Sequence, residues 1–558
     1  MAAPAVPAET LAVPSLDVRD LNVQARWSTG PLAVAWSGWW WVDGAGDHRL
    51  VVESDGPVRV TVDGVAAVDL AAGRARGSVA LAPGAHALAV AYRGAGEPRR
   101  LRVEWAPPGG TRRAFAGGSV FREPPRWAEV RRGRWAVRLA WAAAALWLLA
   151  LLALAVRGGP RARAVLRVAL PALVVLYAGA LRFEALMGRY GWQGPRWAVG
   201  AARAVEALHP DGLRWEPATE DYGGDPLTYL RRARSMRGFF DADVREPLFP
   251  FTTRLLLVPL HDRPLAVNAA SALFSTLCVL ATYLLGAAAF SRGVGLGAAL
   301  CLALDRDALW WGVEGFRDDA FAFFAVLTVW LLWRLRERPT PGRGALAGVA
   351  AGAACLSRIT AFSFLLPVAL WLLVERGESR NARRRALGAA GAALLAVAGP
   401  YMLACAVAYH DPFYAVNFHT RFYRSRTGQA YDTDMSWHGY LRRGFAAGSL
   451  LETGVRGLTT YPFSNKWAGL DPVTPWLRRL LAPLAVLGLL LFLRSPAGRL
   501  LLVALLGALL PYAFTWRIPG GAEWRFTLVA YPFYLVAAWA AVAGLVRLLR
   551  PRPGAPAP

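Results

Sequence analysis

The amino-acid sequence predicts an α-helical polytopic membrane protein, a bundle of about eleven spans, with an N-terminal β-sandwich domain. Three observations carry this expectation. Of 558 residues 55% are hydrophobic, and the mean hydropathy is +0.32, whereas soluble domains are roughly 45–50% apolar. The excess is concentrated after Trp135, in Leu/Ala/Val runs of ~16–24 residues, long enough to cross a hydrocarbon core. The stretch before Trp135 has no such run and instead alternates apolar and polar residues in short, glycine-punctuated segments.

After a tail over residues 1–23, the segment 24–118 reads as β-structure. Its apolar runs are Leu32 to Val42, Arg49 to Glu53, Val58 to Val62, Ser78 to Leu81, His86 to Tyr92 and Leu101 to Trp105. Asp63-Gly64 and Pro83-Gly84 supply turn chemistry between them, the signature of a sandwich. The order of Trp36-Ser-Gly38, Glu53-Ser-Asp-Gly56, Val60-Thr-Val-Asp-Gly64, Leu81-Ala-Pro-Gly-Ala-His86 and Leu101-Arg-Val-Glu-Trp105 resembles the carbohydrate-binding β-sandwich first described in anthrax protective antigen. Sugar-binding members of that family carry two adjacent calcium-ligating aspartates, and this chain has Ser54-Asp55 there. The departure speaks against a calcium-dependent lectin, and a structural or docking module is the plainer reading.

A basic linker, 119–134, leads into the multi-span domain, 135–548, and a Pro-rich tail, 549–558, expected in the cytoplasm. Hydropathy places spans near 135–156, 165–183, 264–288, 292–309, 317–334, 343–357, 360–374, 386–409, 478–493, 498–516 and 526–547. Arginines crowd one set of short loops: 157–163, 334–343, 376–385, 494–499 and 547–550. The positive-inside rule makes these cytoplasmic. The two long loops, 184–263 and 410–477, then lie outside with the β domain. Arg126, Arg131, Arg132 and Arg134 oppose that sidedness for the first span, and Met1 to Asp20 lacks the basic start and apolar core of a cleavable leader. The agreement of the remaining loops favours the outer placement.

The formal net charge of +25 is carried almost wholly by arginine, with Lys466 the single lysine. The arginines sit in loops between apolar runs and form no basic stripe with interleaved aromatics, which excludes nucleic acid as the expected partner. The arginine bias itself suggests a GC-rich, bacterial source. Cys278, Cys301, Cys355 and Cys405 all fall in apolar runs and read as small hydrophobes, not as disulfides or zinc ligands. The expected setting is a multi-pass cytoplasmic (inner) membrane protein among membrane lipids.

Long outer loops on a compact bundle usually carry function. The first holds an amphipathic stretch from Trp197 to Leu208, then Glu220-Asp-Tyr-Gly-Gly-Asp-Pro-Leu-Thr-Tyr-Leu-Arg-Arg-Ala-Arg-Ser-Met236, then Arg245-Glu-Pro-Leu-Phe-Pro250. An aspartate followed by tyrosine and an Ala-Arg-x-Met helix, with a basic residue before Pro-Leu, resembles the first outer loop of GT-C glycosyltransferases. The protein O-mannosyltransferases and the lipid A aminoarabinose transferases are the nearest branches. Glu314-Gly-Phe-Arg-Asp-Asp319 and Glu523-Trp-Arg-Phe-Thr527 extend the resemblance over about 165–548, with the last third weaker. Each motif is short, so the specificity lies in their order.

The resemblance implies an inverting transfer of a monosaccharide from a polyprenyl-phosphate donor to an acceptor hydroxyl of a glycan, lipid or protein. The active site would face outside, toward the periplasm. Asp225 takes the place of the catalytic base, with Asp221 as runner-up. Arg245 stands at the family's phosphate-contacting position, and Arg358, Arg525 and Lys466 are further donor-phosphate candidates. Glu314, Asp318, Asp319, Glu523 and His419 are other site candidates. A hydroxyl needs a positioned base, and a departing phosphate needs cations. The resemblance implies neither metal nor cofactor, the lipid-linked sugar being a substrate.

Plainer roles stand beside each. Asp225-Pro226 is a good helix cap followed by proline at the first helical position. Asp318 and Asp319 suit the positive end of a helix dipole. Arg358 and Arg525 suit snorkelling to headgroups, His419 suits a hydrogen-bonded structural role, and Lys466 suits a solvated one. Aromatics mixed with polar groups over 410–467 fit sugar stacking or interfacial packing. A non-enzymatic lipid or polysaccharide transporter or flippase is the alternative from another class. It would place its charges at mid-membrane depth, whereas here they gather at span boundaries.

Overall fold

The computed structural model describes residues 32–94, 101–110, 113–115, 120–121, 123–128, 130–131, 159–190, 201–202, 224–375, 380–418, 473–513 and 527–549, with isolated positions at 135, 142, 146, 153 and 205. The chain divides into two compact units, 1–153 with 187–221, and 154–186 with 222–558. The first contains the β domain and the second the helical bundle.

In the first unit, β1 (Leu32–Val42), β2 (Gly46–Ser54), β3 (Val58–Val62), β4 (Val65–Leu70), β5 (Gly73–Leu81), β6 (Gly84–Gly94), β7 (Leu101–Ala106), β8 (Arg113–Ala114) and β9 (Val120–Phe121) form two antiparallel sheets. Their orders are β4-β3-β6-β1-β9 and β5-β2-β7-β8. Period-2 alternation turns one face of each strand inward, as in β3, where Val58, Val60 and Val62 are buried and Arg59 and Thr61 are not. Trp40 is fully buried and meets His48, Trp105 and Phe115 edge-on, with ring centroids 5.5, 5.1 and 5.2 Å away. Asp63 and Gly64 both take positive φ, 50° and 80°. Two such residues in a two-residue loop match the twist of the flanking strands and close the β3–β4 hairpin. The Ser54 hydroxyl donates to the Gly56 carbonyl at 2.7 Å, and the Tyr92 hydroxyl donates to Asp55 Oδ1 at 2.7 Å. This pair thus serves the turn that links the two sheets.

The second unit is helical: α1 (Pro160–Tyr190), α2 (Gly224–Ser235), α3 (Leu248–Leu257), α4 (Leu265–Ala289), α5 (Arg292–Leu304), α6 (Arg306–Trp311), α7 (Asp318–Glu337), α8 (Pro341–Ser357), α9 (Phe362–Val374), α10 (Arg380–Tyr409), α11 (Val473–Phe492), α12 (Pro496–Ala513) and α13 (Tyr531–Leu549). The end of α1 belongs by contacts to the first unit. Four described helices are long and apolar enough to cross a membrane: Ala164–Tyr190, Leu265–Ala289, Arg380–Tyr409 and Tyr531–Leu548. The pair Leu480–Phe492 and Pro496–Pro511, bent by 118°, makes five if counted as one span.

The expected eleven is finer than this. The first expected span, 135–156, falls almost wholly outside the described residues. Arg292–Leu304, a 13-residue helix, reaches only about 20 Å at 1.5 Å per residue against a core of roughly 30 Å. Helix α7 carries Asp318, Asp319, Arg334, Arg336 and Glu337 at its ends, which limits its uninterrupted apolar length.

Outward-facing Leu176, Leu366, Leu370, Leu395, Leu403 and Val407 are exposed, the surface a bundle presents to lipid and not to water. Where helices touch, small residues let backbones approach. Gly344, Gly348 and Gly352 form a stripe on α8 at intervals of four, and a Cβ on them would run into Ala386, Ala390 and Val397 of α10 respectively. Short connections, such as Arg338 to Thr340 between α7 and α8, make sequential helices antiparallel. The starts of α4 and α7 therefore share one end of the bundle with the finishes of α8 and α10. At the opposite end Arg336 forks onto the Glu375 carboxylate, with contacts of 2.7 to 3.1 Å, and Arg383 joins it at 3.5 Å.

Candidate active site

Helix α2 supplies one wall. Gly224 takes φ +65°, permitted to glycine, and turns the chain so that Asp225 and Pro226 open the helix. Asp225, Tyr229 and Arg232 are spaced i, i+4, i+7 and so share one face. That face meets the loop before α3. Arg232 donates to the Asp241 carbonyl at 3.0 Å and pairs with Asp243 at 3.3 Å. Asp243 in turn accepts the backbone N–H of Arg245 at 3.0 Å, and its carbonyl accepts from the Tyr401 hydroxyl on α10 at 2.8 Å. The loop is thereby fixed from both sides, and Arg245 Nη2 reaches Asp225 Oδ1 at 2.6 Å.

The next residue points the other way. Glu246, 4% exposed, pairs through Oε2 with Arg317, 6% exposed, and accepts the backbone N–H of Ile359 on Oε1 at 2.9 Å. Arg358, just before it, donates to Asp318 Oδ1 at 2.6 Å. The buried Tyr229 ring lies under two of the cations, with the guanidinium carbons of Arg245 and Arg317 at 5.3 and 6.0 Å from its centre. Burial pushes the Tyr229 phenol above its ordinary value, with Arg317 pulling against the rise, so the hydroxyl stays neutral. Three arginines and three carboxylates thus pair off in this region, with Tyr229 against two of the arginines. Arg245 Nε and Arg317 Nε are buried with no hydrogen-bond partner, so this cluster retains donor capacity.

Glu314 lies in the turn between α6 and α7. Gly315, at φ +81°, follows it and brings this turn against α2: a Cβ there would sit 3.4 Å from Pro226. Asp319, buried, faces Ser271 at 3.4 Å, as well as Ser275 and the Arg182 guanidinium. Arg182 donates to Ser275 at 2.8 Å and to the Ala178 carbonyl at 3.2 Å. Asp319 therefore serves a polar network behind the cluster, while Asp318 belongs to the cluster itself.

The structure brings together Asp225 with Arg245 and Asp318 with Arg358, all four named from the sequence. Asp221, His419, Lys466, Glu523 and Arg525 lie outside the described residues. Sequence reasoning missed Tyr229, Glu246 and Arg317 as site members, although each stands inside a motif it quoted. Among the described residues no group of three His, Cys, Asp or Glu side chains is placed to hold a metal ion.

The arrangement offers a carboxylate at the rim, half-buried, beside converging guanidiniums. Chemically it is suited to hold an anionic oxygen and to take a proton next to it.

No curated protein matches the chain significantly. Among solved structures, the oligosaccharyltransferase AglB of Archaeoglobus fulgidus, in complex with an inhibitory peptide and a dolichol-phosphate, is similar at 15% identity and TM-score 0.40, over 70% of this chain and 52% of that one. The apo form of the same enzyme gives 13% identity and TM-score 0.39, over 69% and 51%. An anti-sigma factor domain-containing protein is similar over 20% of this chain and 40% of its own, at 17% identity and TM-score 0.18. The chain thus spans about half the length of the oligosaccharyltransferases it matches. A family model matches as well, over the stretch that holds Arg245, Glu246, Arg317, Asp318 and Arg358 but not Asp225. Residues 244–403 match the dolichyl-phosphate-mannose-protein mannosyltransferase family, a family of GT-C glycosyltransferases, in agreement with the resemblance its loop motifs carry.

Proposed function

We propose that this chain is an inverting glycosyltransferase that moves a monosaccharide from a polyprenyl-phosphate donor to an acceptor hydroxyl at the outer face of the membrane. The observation that carries the reading is the 2.6 Å contact between Asp225 and Arg245, which sets a base beside a phosphate-binding cation. In the reaction Asp225 takes the proton from the acceptor hydroxyl as its oxygen bonds to the anomeric carbon. The bond from that carbon to the phosphate oxygen breaks on the opposite face, and the sugar's configuration inverts. The electron pair leaves with the lipid phosphate, which Arg245 and Arg358 receive in place of their carboxylate partners. No metal or cofactor enters these steps.

The remaining apolar helices complete a bundle of about eleven spans, with the arginine-rich end of α7 to α10 in the cytoplasm and the acidic–basic cluster outside. Residues 24–118 form an accessory module, and Asp221, Glu314, Glu523, Arg525, Lys466 and His419 supply further polar groups around the substrates. The test is transfer of radiolabelled sugar from polyprenyl-phosphate donors in membranes, comparing wild type with Asp225→Asn. Asparagine retains capping ability, so a fall of about 10²–10⁴ in a normally inserted variant assigns the base. Full activity in that variant removes Asp225 from the role, and absence of transfer from every donor by wild type overturns the reading.

A further inference from the structure

Glu246 is a carboxylate placed where carboxylates are expensive. It is almost fully buried, yet it serves two partners on two other segments: the Arg317 side chain before α7 and the Ile359 backbone N–H after α8. Both of its oxygens are therefore used. It also follows Arg245 directly, so the chain that delivers one cation to Asp225 also ties down the turn that carries Arg358. The Arg358 backbone is extended, at φ −151° and ψ 118°, between α8 and a single 3-10 turn over Ile359–Ala361. The Arg358 N–H bonds to the Ala354 carbonyl and the Arg358 carbonyl accepts from the Ala361 N–H. The Ile359 N–H between them goes to Glu246, one residue away from the guanidinium that matters.

We propose that Glu246 is a positioning residue that fixes the reach of Arg358 toward the donor phosphate through the Ile359 N–H, a role that rests on the transferase reading above. Neutralising Arg317 alone does not account for this geometry, since that task needs one carboxylate oxygen and leaves no reason for the second to meet a backbone N–H 113 positions along the chain. The two tasks separate by mutation. Glu246→Ala strands a buried arginine and is expected to fold poorly. The double variant Glu246→Leu/Arg317→Met removes the charge pair together and keeps volume, so it leaves no orphan charge, and it also removes the acceptor for Ile359. Arg317→Met alone, which keeps that acceptor, is the control for loss of the guanidinium, and the effects of the double variant are read relative to it.

The experiment uses the full chain in nanodiscs, with polyprenyl monophosphate as the probe. Its dissociation constant is measured alongside amide hydrogen exchange over 356–362. In the double variant exchange in that segment is expected to accelerate while α10 stays protected, and polyprenyl monophosphate to bind about tenfold more weakly. Wild-type exchange and wild-type binding in the double variant would overturn the proposal and leave charge balance as the whole role of Glu246. Faster exchange with unchanged binding would also overturn it, since the turn would then be held for structure alone. Failure of the wild-type protein to bind polyprenyl monophosphate would overturn the transferase reading, and this inference with it.

Discussion

Arg245 and Arg317 approach the same aromatic ring, that of Tyr229, at 5.3 and 6.0 Å. Each also holds a different carboxylate, Asp225 and Glu246 respectively. Two like charges share one neutral platform, and the ring's negative face offsets part of their repulsion. It is the ring and not the hydroxyl that meets them. Tyr229→Phe should therefore keep sugar transfer within about threefold of wild type, whereas Tyr229→Ala should lower it by about tenfold or more. Steady-state transfer rates for the two variants decide between ring and hydroxyl.

Arg245 meets Asp225 through Nη2 while its plane lies over Tyr229. A lysine in its place keeps the charge but presents a single point donor, without the planar group that lies over Tyr229 while meeting Asp225. Arg245→Lys is expected to raise the KM for the lipid donor by about tenfold, with a smaller change in kcat. An unchanged donor KM would exclude the planar group from phosphate recognition.

The Arg358–Asp318 pair is almost wholly buried, at 11% and 5% exposed. Breaking it takes a charged partner away from a buried group. Arg358→Met should cost about 3–5 kcal/mol of stability, and Asp318→Leu/Arg358→Met clearly less. Thermal unfolding in a fixed detergent reads the ordering, while both variants should lose transfer.

Glycine positions on facing helices predict opposite outcomes. At Gly348 a Cβ would collide with the Ala390 carbonyl, whereas at Gly388 nothing lies within 4 Å. Gly348→Leu is expected to abolish normal assembly of the bundle. Gly388→Ala should be neutral or stabilising by about 0.5–1 kcal/mol. Yield of monodisperse protein on size exclusion and its melting temperature distinguish the two.

In the β domain Trp40 is the central buried ring. Trp40→Ala should destabilise that domain by about 3–5 kcal/mol. Limited proteolysis of the full chain would then cut within 32–121 at protease concentrations that leave wild type intact.

Much of this was legible in the sequence, and the reasons are local. The Asp63-Gly64 turn and the alternation of Val58 to Val62 specify a hairpin without outside help. Strand β4 was not foreseen, because Val65-Ala-Ala-Val-Asp-Leu70 has only a weak contrast between its faces. Helices α4, α7, α8 and α9 fall within three residues of the expected spans, whereas α1 and α10 run five or more residues beyond theirs. The membrane count was harder to read, because 13-residue helices such as Arg292–Leu304 are apolar without being long.

Asp225, Arg245 and Asp318 could be named from motifs and Arg358 from its place at a span boundary, but their pairing could not. Asp318 and Arg358 are 40 positions apart, and Glu246 and Arg317 are 71. No single sequence states such distances. The one available signal for Glu246 was its setting, a carboxylate wedged between Arg245 and the apolar Pro247-Leu-Phe-Pro250.

The glycine stripe between α8 and α10 has a mechanical consequence. Arg358 caps the end of α8 and Tyr401 lies one turn past Val397 on α10, so two of the contacts that bound the charge cluster hang from elements whose backbones touch. Such a pair cannot slide without collision. It behaves as the fixed jaw of a vice, so a lipid-linked donor gripped by Arg358, as proposed above, would be pressed against a wall that does not give.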